Sequence, residues 1–155
     1  LDLESELLNL AQQRLKLAKK SRNQVCHESS ISKICAGKIL IIDNDSFSNS
    51  ILKEQLESEN YEILICTDGA EGIEMIEKES PDIIIAELIL PKIDGFLVRE
   101  KIMESSDLKN KVFILLSHLK SEESIRRAVS LNIEHYFKKP YFPIELLGLI
   151  KNKLK

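Results

Sequence analysis

At 155 residues the chain holds one ordinary domain and an appendage but not two full domains, and a composition of 43% hydrophobic and 30% charged residues excludes disordered, collagen-like and coiled-coil-only classes. Lys and Arg number 22 against 25 Asp and Glu, and the resulting charge of −3 provides no electrostatic footprint for nucleic acid, so no direct nucleic-acid partner is expected. An odd count of three cysteines, Cys26, Cys35 and Cys66, without a signal peptide points to a reducing cytoplasm, and no apolar run approaches the roughly 18 residues that span a bilayer.

The first twenty residues contain no Gly or Pro, and Leu3, Leu7, Leu10 and Leu17 recur at four- and three-residue steps with Arg14 breaking the seam. An amphipathic helix is expected there. Its acids Asp2, Glu4 and Glu6 lie at the start and its bases Arg14, Lys16, Lys19 and Lys20 at the end, the polarity that a helix dipole favours. The seam is too short to stand alone as a coiled coil, so it needs a partner surface: the following domain, its own copy in a dimer, or a domain upstream. Because the chain starts at Leu1 instead of Met, it is expected to be cut from a longer protein.

Residues 21–36 are aperiodic and rich in serine (Ser21, Ser29, Ser30, Ser32), which reads as a linker and divides the chain into 1–37, helix and linker, and 38–155, the globular domain. Cys26, His27 and Cys35 match no zinc spacing and are assigned no role. From Lys38 onward, short β-branched runs alternate with helical patterns. Strands are expected at Ile39–Ile42, Ile63–Ile65, Ile83–Ala86, Val112–Leu116 and Ile133–Phe137. Between and after them apolar residues fall at helical spacing, as in Phe47, Ile51, Leu52 and Leu56, or Ile144, Leu147, Ile150 and Leu154. Continuous apolar runs belong to strands covered on both faces, hence a parallel sheet in a doubly wound α/β domain.

Such sheets bind ligands beyond the carboxyl ends of their strands. At those ends stand Asp43, Asn44 and Asp45, then Glu87, then Ser117 and His118, then Lys138, Lys139 and Pro140. Carboxylates, a hydroxyl and an ammonium at one edge suit Mg²⁺ and a phosphoryl group. Asp45 or Ser46 is better read as a helix cap, whereas Pro140 restricts the backbone before it and so fixes where Lys139 points.

Taken together, Lys38 to Asp43, Thr67-Asp68-Gly69-Ala70-Glu71-Gly72, Pro81 to Gly95 with Glu87 and Pro91, and Tyr136-Phe137-Lys138-Lys139-Pro140-Tyr141 resemble the receiver domain of two-component response regulators. The resemblance implies a flavodoxin-like fold with a five-stranded sheet of order 2-1-3-4-5. In that family a histidine kinase phosphorylates an aspartate at the end of the third strand, with Mg²⁺ held by that residue and an acidic pair. Here the phosphoacceptor position is Glu87, and the acidic pair is Asp43 followed by the neutral Asn44. The extra methylene shifts the carboxylate by about a bond length, and the amide removes a metal-facing charge. Mg²⁺ on Asp43 and Glu87 is therefore expected to be weak or absent.

Ser117 and Tyr136 match the family's switch positions and Lys139 its lysine. His118 takes a place usually held by a small residue and either shields the pocket or points to solvent. Asn132 replaces a helix-ending glycine, and Asn tolerates the left-handed backbone required there. The expected function is a receiver-like signalling module, degenerate and independent of phosphorylation, that binds proteins and is not an enzyme. Candidate partners are a histidine kinase or an upstream domain of the same protein, and no output domain is expected in this chain. The usual signalling face runs from about Ser121 to Leu154, where Ile125, Arg126, Arg127 and Tyr136 form a mixed basic and apolar patch. Two alternatives remain: a phosphorylatable regulator that uses another acid such as Asp45, and a haloacid-dehalogenase-like phosphatase with Asp43 as nucleophile and Asp45 as general acid.

Overall fold

A computed structural model describes residues 35–154 of the protein. The expected amino-terminal helix and most of the serine-rich segment, including Cys26 and His27, lie outside the described residues. Five strands, β1 (Gly37–Ile42), β2 (Tyr61–Cys66), β3 (Ile83–Glu87), β4 (Val112–Ser117) and β5 (His135–Lys138), alternate with five helices. These are α1 (Ser46–Glu57), α2 (Gly69–Glu79), α3 (Gly95–Met103), α4 (Glu122–Ser130) and α5 (Pro143–Lys153). All strand pairs are parallel and the order is β2-β1-β3-β4-β5, as the sequence reading expects.

The continuous apolar runs account for that topology. Every residue of β1 and of β3 is buried, which only a sheet covered on both sides allows. Leu40, Ile42, Ile84, Ala86, Phe113 and Leu115 face one side and pack against Ile76 of α2, Val98 and Ile102 of α3 and Ala128 of α4. Ile39, Ile41, Ile83, Ile85, Ile114 and Leu116 face the other, against Leu52 and Leu56 of α1 and Leu146 and Ile150 of α5. Each such isoleucine or leucine contributes on the order of 1.5–3 kcal/mol by leaving water.

Helices α1 and α5 form where the apolar spacing expects them, with one detail of packing beyond that expectation and one strand boundary shifted. Phe47 (74% exposed), Ile51 and Ile144 (75% exposed) sit at helical spacing yet lie outside the core. In α1 the buried stripe is Asn49, Leu52 and Leu56, rotated away from the all-apolar one. The fifth strand begins at His135, not Ile133, because Asn132 adopts the left-handed backbone (φ 56°) that ends α4. Ile133 is still buried as a core plug. No helix among the described residues is long and apolar enough to cross a membrane.

Candidate functional site

The strand order reverses at β1, so the crevice between the carboxyl ends of β1 and β3 is the place where the topology leaves room for a ligand. Asp43 follows β1 and Glu87 closes β3, while Lys139 follows β5 and is drawn in by a bond from its own N–H to the Ser117 carbonyl (2.8 Å). The Lys139–Pro140 peptide is cis. Asp43, Glu87 and Lys139 are all buried, at 3%, 6% and 7% exposure.

Lys139 Nζ lies 2.6 Å from Asp43 Oδ2 and 2.8 Å from Glu87 Oε2. Each carboxylate's second oxygen accepts a backbone N–H, Asp43 Oδ1 from Asp45 (3.0 Å) and Glu87 Oε1 from Ile89 (3.2 Å). All four carboxylate oxygens thus have partners within the protein, which a buried ionised group requires. Burial pulls the Lys139 ammonium down, but hydrogen bonds to Asp43 and Glu87 and the charges of both outweigh it and leave its pKa raised. Asn49, a buried polar residue that the sequence reading overlooked, donates from Nδ2 to the Asp43 carbonyl (2.7 Å) and ties α1 to the site.

The loop after β3 approaches closely. Gly95 N–H donates to the Leu88 carbonyl (2.8 Å), and a Cβ on Gly95 would fall 2.7 Å from the Glu87 carbonyl oxygen, so glycine is required at this contact. Residues 39–151 match the response regulator receiver domain family. The chain belongs to that family.

Its relatives include the chemotaxis protein CheY of Treponema pallidum, 31% identical over 121 residues that cover 76% of this chain and 83% of that one. The "Probable transcriptional regulator ycf27" of Porphyridium aerugineum is 29% identical over 118 residues, 76% of this chain and 48% of that protein. The chain thus spans about half the length of several regulators it matches. Among solved structures, the CheY-like receiver domain protein of Methanospirillum hungatei superposes with a TM-score of 0.71 at 30% identity, covering 76% of this chain and 92% of that one.

Of the receiver positions named from sequence, the structure brings the side chains of Asp43, Glu87 and Lys139 together, with Ser117 joined to Lys139 through its backbone carbonyl. Asn44 is exposed. Asp45 is exposed and caps α1, its Oδ1 accepting from Ser48 N–H (3.2 Å), the cap role that the sequence reading prefers for it. Asp43, the nucleophile of the phosphatase alternative, is buried with both oxygens bonded. Ser117 is fully buried and its Oγ accepts from Leu119 N–H (3.1 Å). Tyr136 donates its hydroxyl to the Leu119 carbonyl (2.6 Å) and lies 3.0 Å from Ser124 Oγ, tying β5 to the segment that leads into α4. His118 is exposed and lines, with Phe47, Pro140 and Tyr141, a cavity of about 220 Å³ over Lys139.

The expected basic patch is largely neutralised. Arg126 pairs with Glu122, and Arg127 Nη2 pairs with Glu100 Oε1 at 2.7 Å while its guanidinium stands over Phe96. Lys138 is exposed. The donor set fits Mg²⁺ poorly as arranged, because the two carboxylates that would ligate it both end on an ammonium and the neighbouring side chain at position 44 is a neutral amide. Among the described residues, no three His, Cys, Asp or Glu side chains gather as a metal site.

Proposed function

We propose that this receiver domain is a degenerate one: a protein-interaction module of two-component signalling whose pocket is closed by the Asp43–Lys139–Glu87 triad and whose state does not depend on phosphorylation. The observation that supports this most is the position of Glu87 Oε2, 2.8 Å from Lys139 Nζ. A phosphoryl group delivered to Glu87 would have to displace that ammonium from a buried carboxylate, without the full acidic pair that would recruit Mg²⁺ to compensate.

The fixed pocket holds its neighbours in one arrangement. Ser117 binds Leu119 N–H, and Tyr136 binds the Leu119 carbonyl, so a single residue joins the β4 end to the aromatic position. The partner is a protein, a histidine kinase or another domain of the same polypeptide, or a second copy in a dimer, and the site carries no enzymatic turnover. Phe47, Phe142 and Ile144, exposed by more than two thirds each, supply apolar surface for such contacts. A cytoplasmic location accords with this role.

Acetyl phosphate labelling tests the reading. The unaltered chain is expected to remain unlabelled in the presence of Mg²⁺, and the double variant Glu87→Asp with Asn44→Asp to take up label at position 87. Robust labelling of the unaltered chain would sink the proposal, and mapping the adduct to Asp45 would favour an ordinary regulator that uses another acid. Turnover of an aryl phosphate abolished by Asp43→Asn would instead favour the phosphatase.

A further inference from the structure

Lys120 stands exposed in the connection from β4 to α4, where an ordinary lysine is free to sample many rotamers. Here its ammonium is held twice by a single residue. Nζ donates to the Tyr136 backbone carbonyl (2.8 Å) and lies 5.1 Å from the centre of the Tyr136 ring. β5 is the edge strand of the sheet, so a carbonyl turned outward from it has no neighbouring strand to supply a donor. The lysine that supplies one also covers a ring face, and one position of the ammonium serves both contacts.

Tyr136 returns the contact. Its hydroxyl donates to the carbonyl of Leu119 (2.6 Å), which belongs to the peptide group that joins Leu119 to Lys120. Side chain thus meets backbone in both directions between β5 and this connection. The contacts continue on either side. Leu119 N–H donates to Ser117 Oγ (3.1 Å) at the end of β4, and the Tyr136 hydroxyl lies 3.0 Å from the Oγ of the buried Ser124 in the first turn of α4. Ser124 Oγ in turn accepts from Ser121 N–H (2.8 Å) as half of the capping box of that helix. The bonds at the hydroxyl and the cation over the ring all require the Tyr136 side chain to lie along the connection. Rotation about its χ1 gives them up together, so Lys120 favours one rotamer over the others.

We propose that Lys120 is a positioning residue: with Tyr136 it forms a clasp that holds that side chain in one rotamer and fixes the β4–α4 connection against β5. The clasp and the Asp43–Lys139–Glu87 cluster are separate devices that meet at Ser117, whose carbonyl accepts from Lys139 N–H and whose Oγ accepts from Leu119 N–H. A partner that docks where β5 and α4 meet therefore finds one preformed surface, shaped by Lys120 whatever the state of the pocket.

Amide hydrogen exchange and the χ1 couplings of Tyr136, measured by NMR on the full chain, test the clasp in Lys120→Met. The Leu119 amide is expected to exchange roughly tenfold faster, the effect of losing an exposed cation–π contact and a hydrogen bond together, and a second Tyr136 rotamer to gain population. The Ile89 amide, bonded to Glu87 Oε1 in the pocket, is expected to keep its rate, and Lys120→Arg to restore both readouts. Lys138→Met, at an exposed lysine of β5, controls for general charge. The proposal is overturned if Leu119 and Tyr136 behave alike in the unaltered chain and in Lys120→Met, if Ile89 accelerates as much as Leu119, or if Lys138→Met has the same effect. Uptake of acetyl phosphate by the unaltered chain would contradict the closed pocket alone, since the clasp readouts do not involve Glu87.

Discussion

Lys139 and Arg99 are both buried cations, one at each edge of the same sheet, and they are compensated in opposite ways. Lys139 faces two carboxylates, each also fixed by a backbone N–H, so the cluster has a net negative charge and no polar atom without a partner. Arg99 donates to two carbonyls and stands against a ring, and its Nη1 is buried without a hydrogen-bond partner among the described residues. A buried cation paired with carboxylates holds a geometry, whereas one bonded only to neutral groups bears its desolvation without a close counter-charge. The difference separates a charge countered by two carboxylates from one held by backbone dipoles and a ring.

Substitution of each cation puts this contrast to the test, and the largest effect is expected at Lys139. Lys139→Met leaves Asp43 and Glu87 buried side by side without a counter-charge, and should cost about 3–5 kcal/mol in urea denaturation. A loss below about 1 kcal/mol would show that the triad is not a closed electrostatic unit. The same pair of proteins carries a pH signature. Lys139 has a raised pKa in the folded state, so its contribution is fully present below the ordinary value of 10.5 and is lost as pH rises through the higher folded value. The stability gap between the unaltered protein and Lys139→Met should therefore be flat near neutrality and close only in strong alkali; closure at neutral pH would refute the raised value.

Arg99→Met should cost less, about 1–2 kcal/mol, because it frees the Leu131 and Asn132 carbonyls but also removes a charge with no ion-pair partner. Thermal melts of the two variants side by side would break the comparison if Arg99 proved the more costly. Tyr136→Phe removes the hydroxyl that binds the Leu119 carbonyl and should cost about 1 kcal/mol. It should also displace the amide signal of Leu119 without touching that of Ile89. Smallest of all, Glu134→Gln at the exposed Lys153 pair should change stability by less than about 0.5 kcal/mol, checked by the same melts.

The fold was legible because parallel strands covered on both faces leave a plain mark, a run such as Ile83 to Ala86 with no polar interruption. The site was legible for a related reason: Asp43, Glu87 and Lys139 stand directly after or at the end of such runs, where the topology gathers them. What the pattern concealed was orientation. Phe47 and Ile144 satisfied helical spacing but face outward, since periodicity alone does not say which of two overlapping stripes the core selects. Asn49 could have been found as the polar member of the stripe it shares with Leu52 and Leu56. Arg99 had no comparable signal, because its burial depends on the Leu131 and Asn132 carbonyls more than thirty residues away in sequence. Likewise Arg126 and Arg127 looked like a free basic patch until Glu122 and Glu100 were seen to pair with them.

The closed pocket is tested most directly by a two-dimensional NMR spectrum of the unaltered chain recorded with and without Mg²⁺ and acetyl phosphate, read at two places. One is the Ile89 amide, which donates to Glu87 Oε1, and the other is Tyr136. If Glu87 is held by Lys139, the Ile89 and Tyr136 signals stay where they are and the intact mass is that of the unmodified chain. Displacement of both signals together with a phosphoryl adduct would contradict a pocket closed by its own lysine.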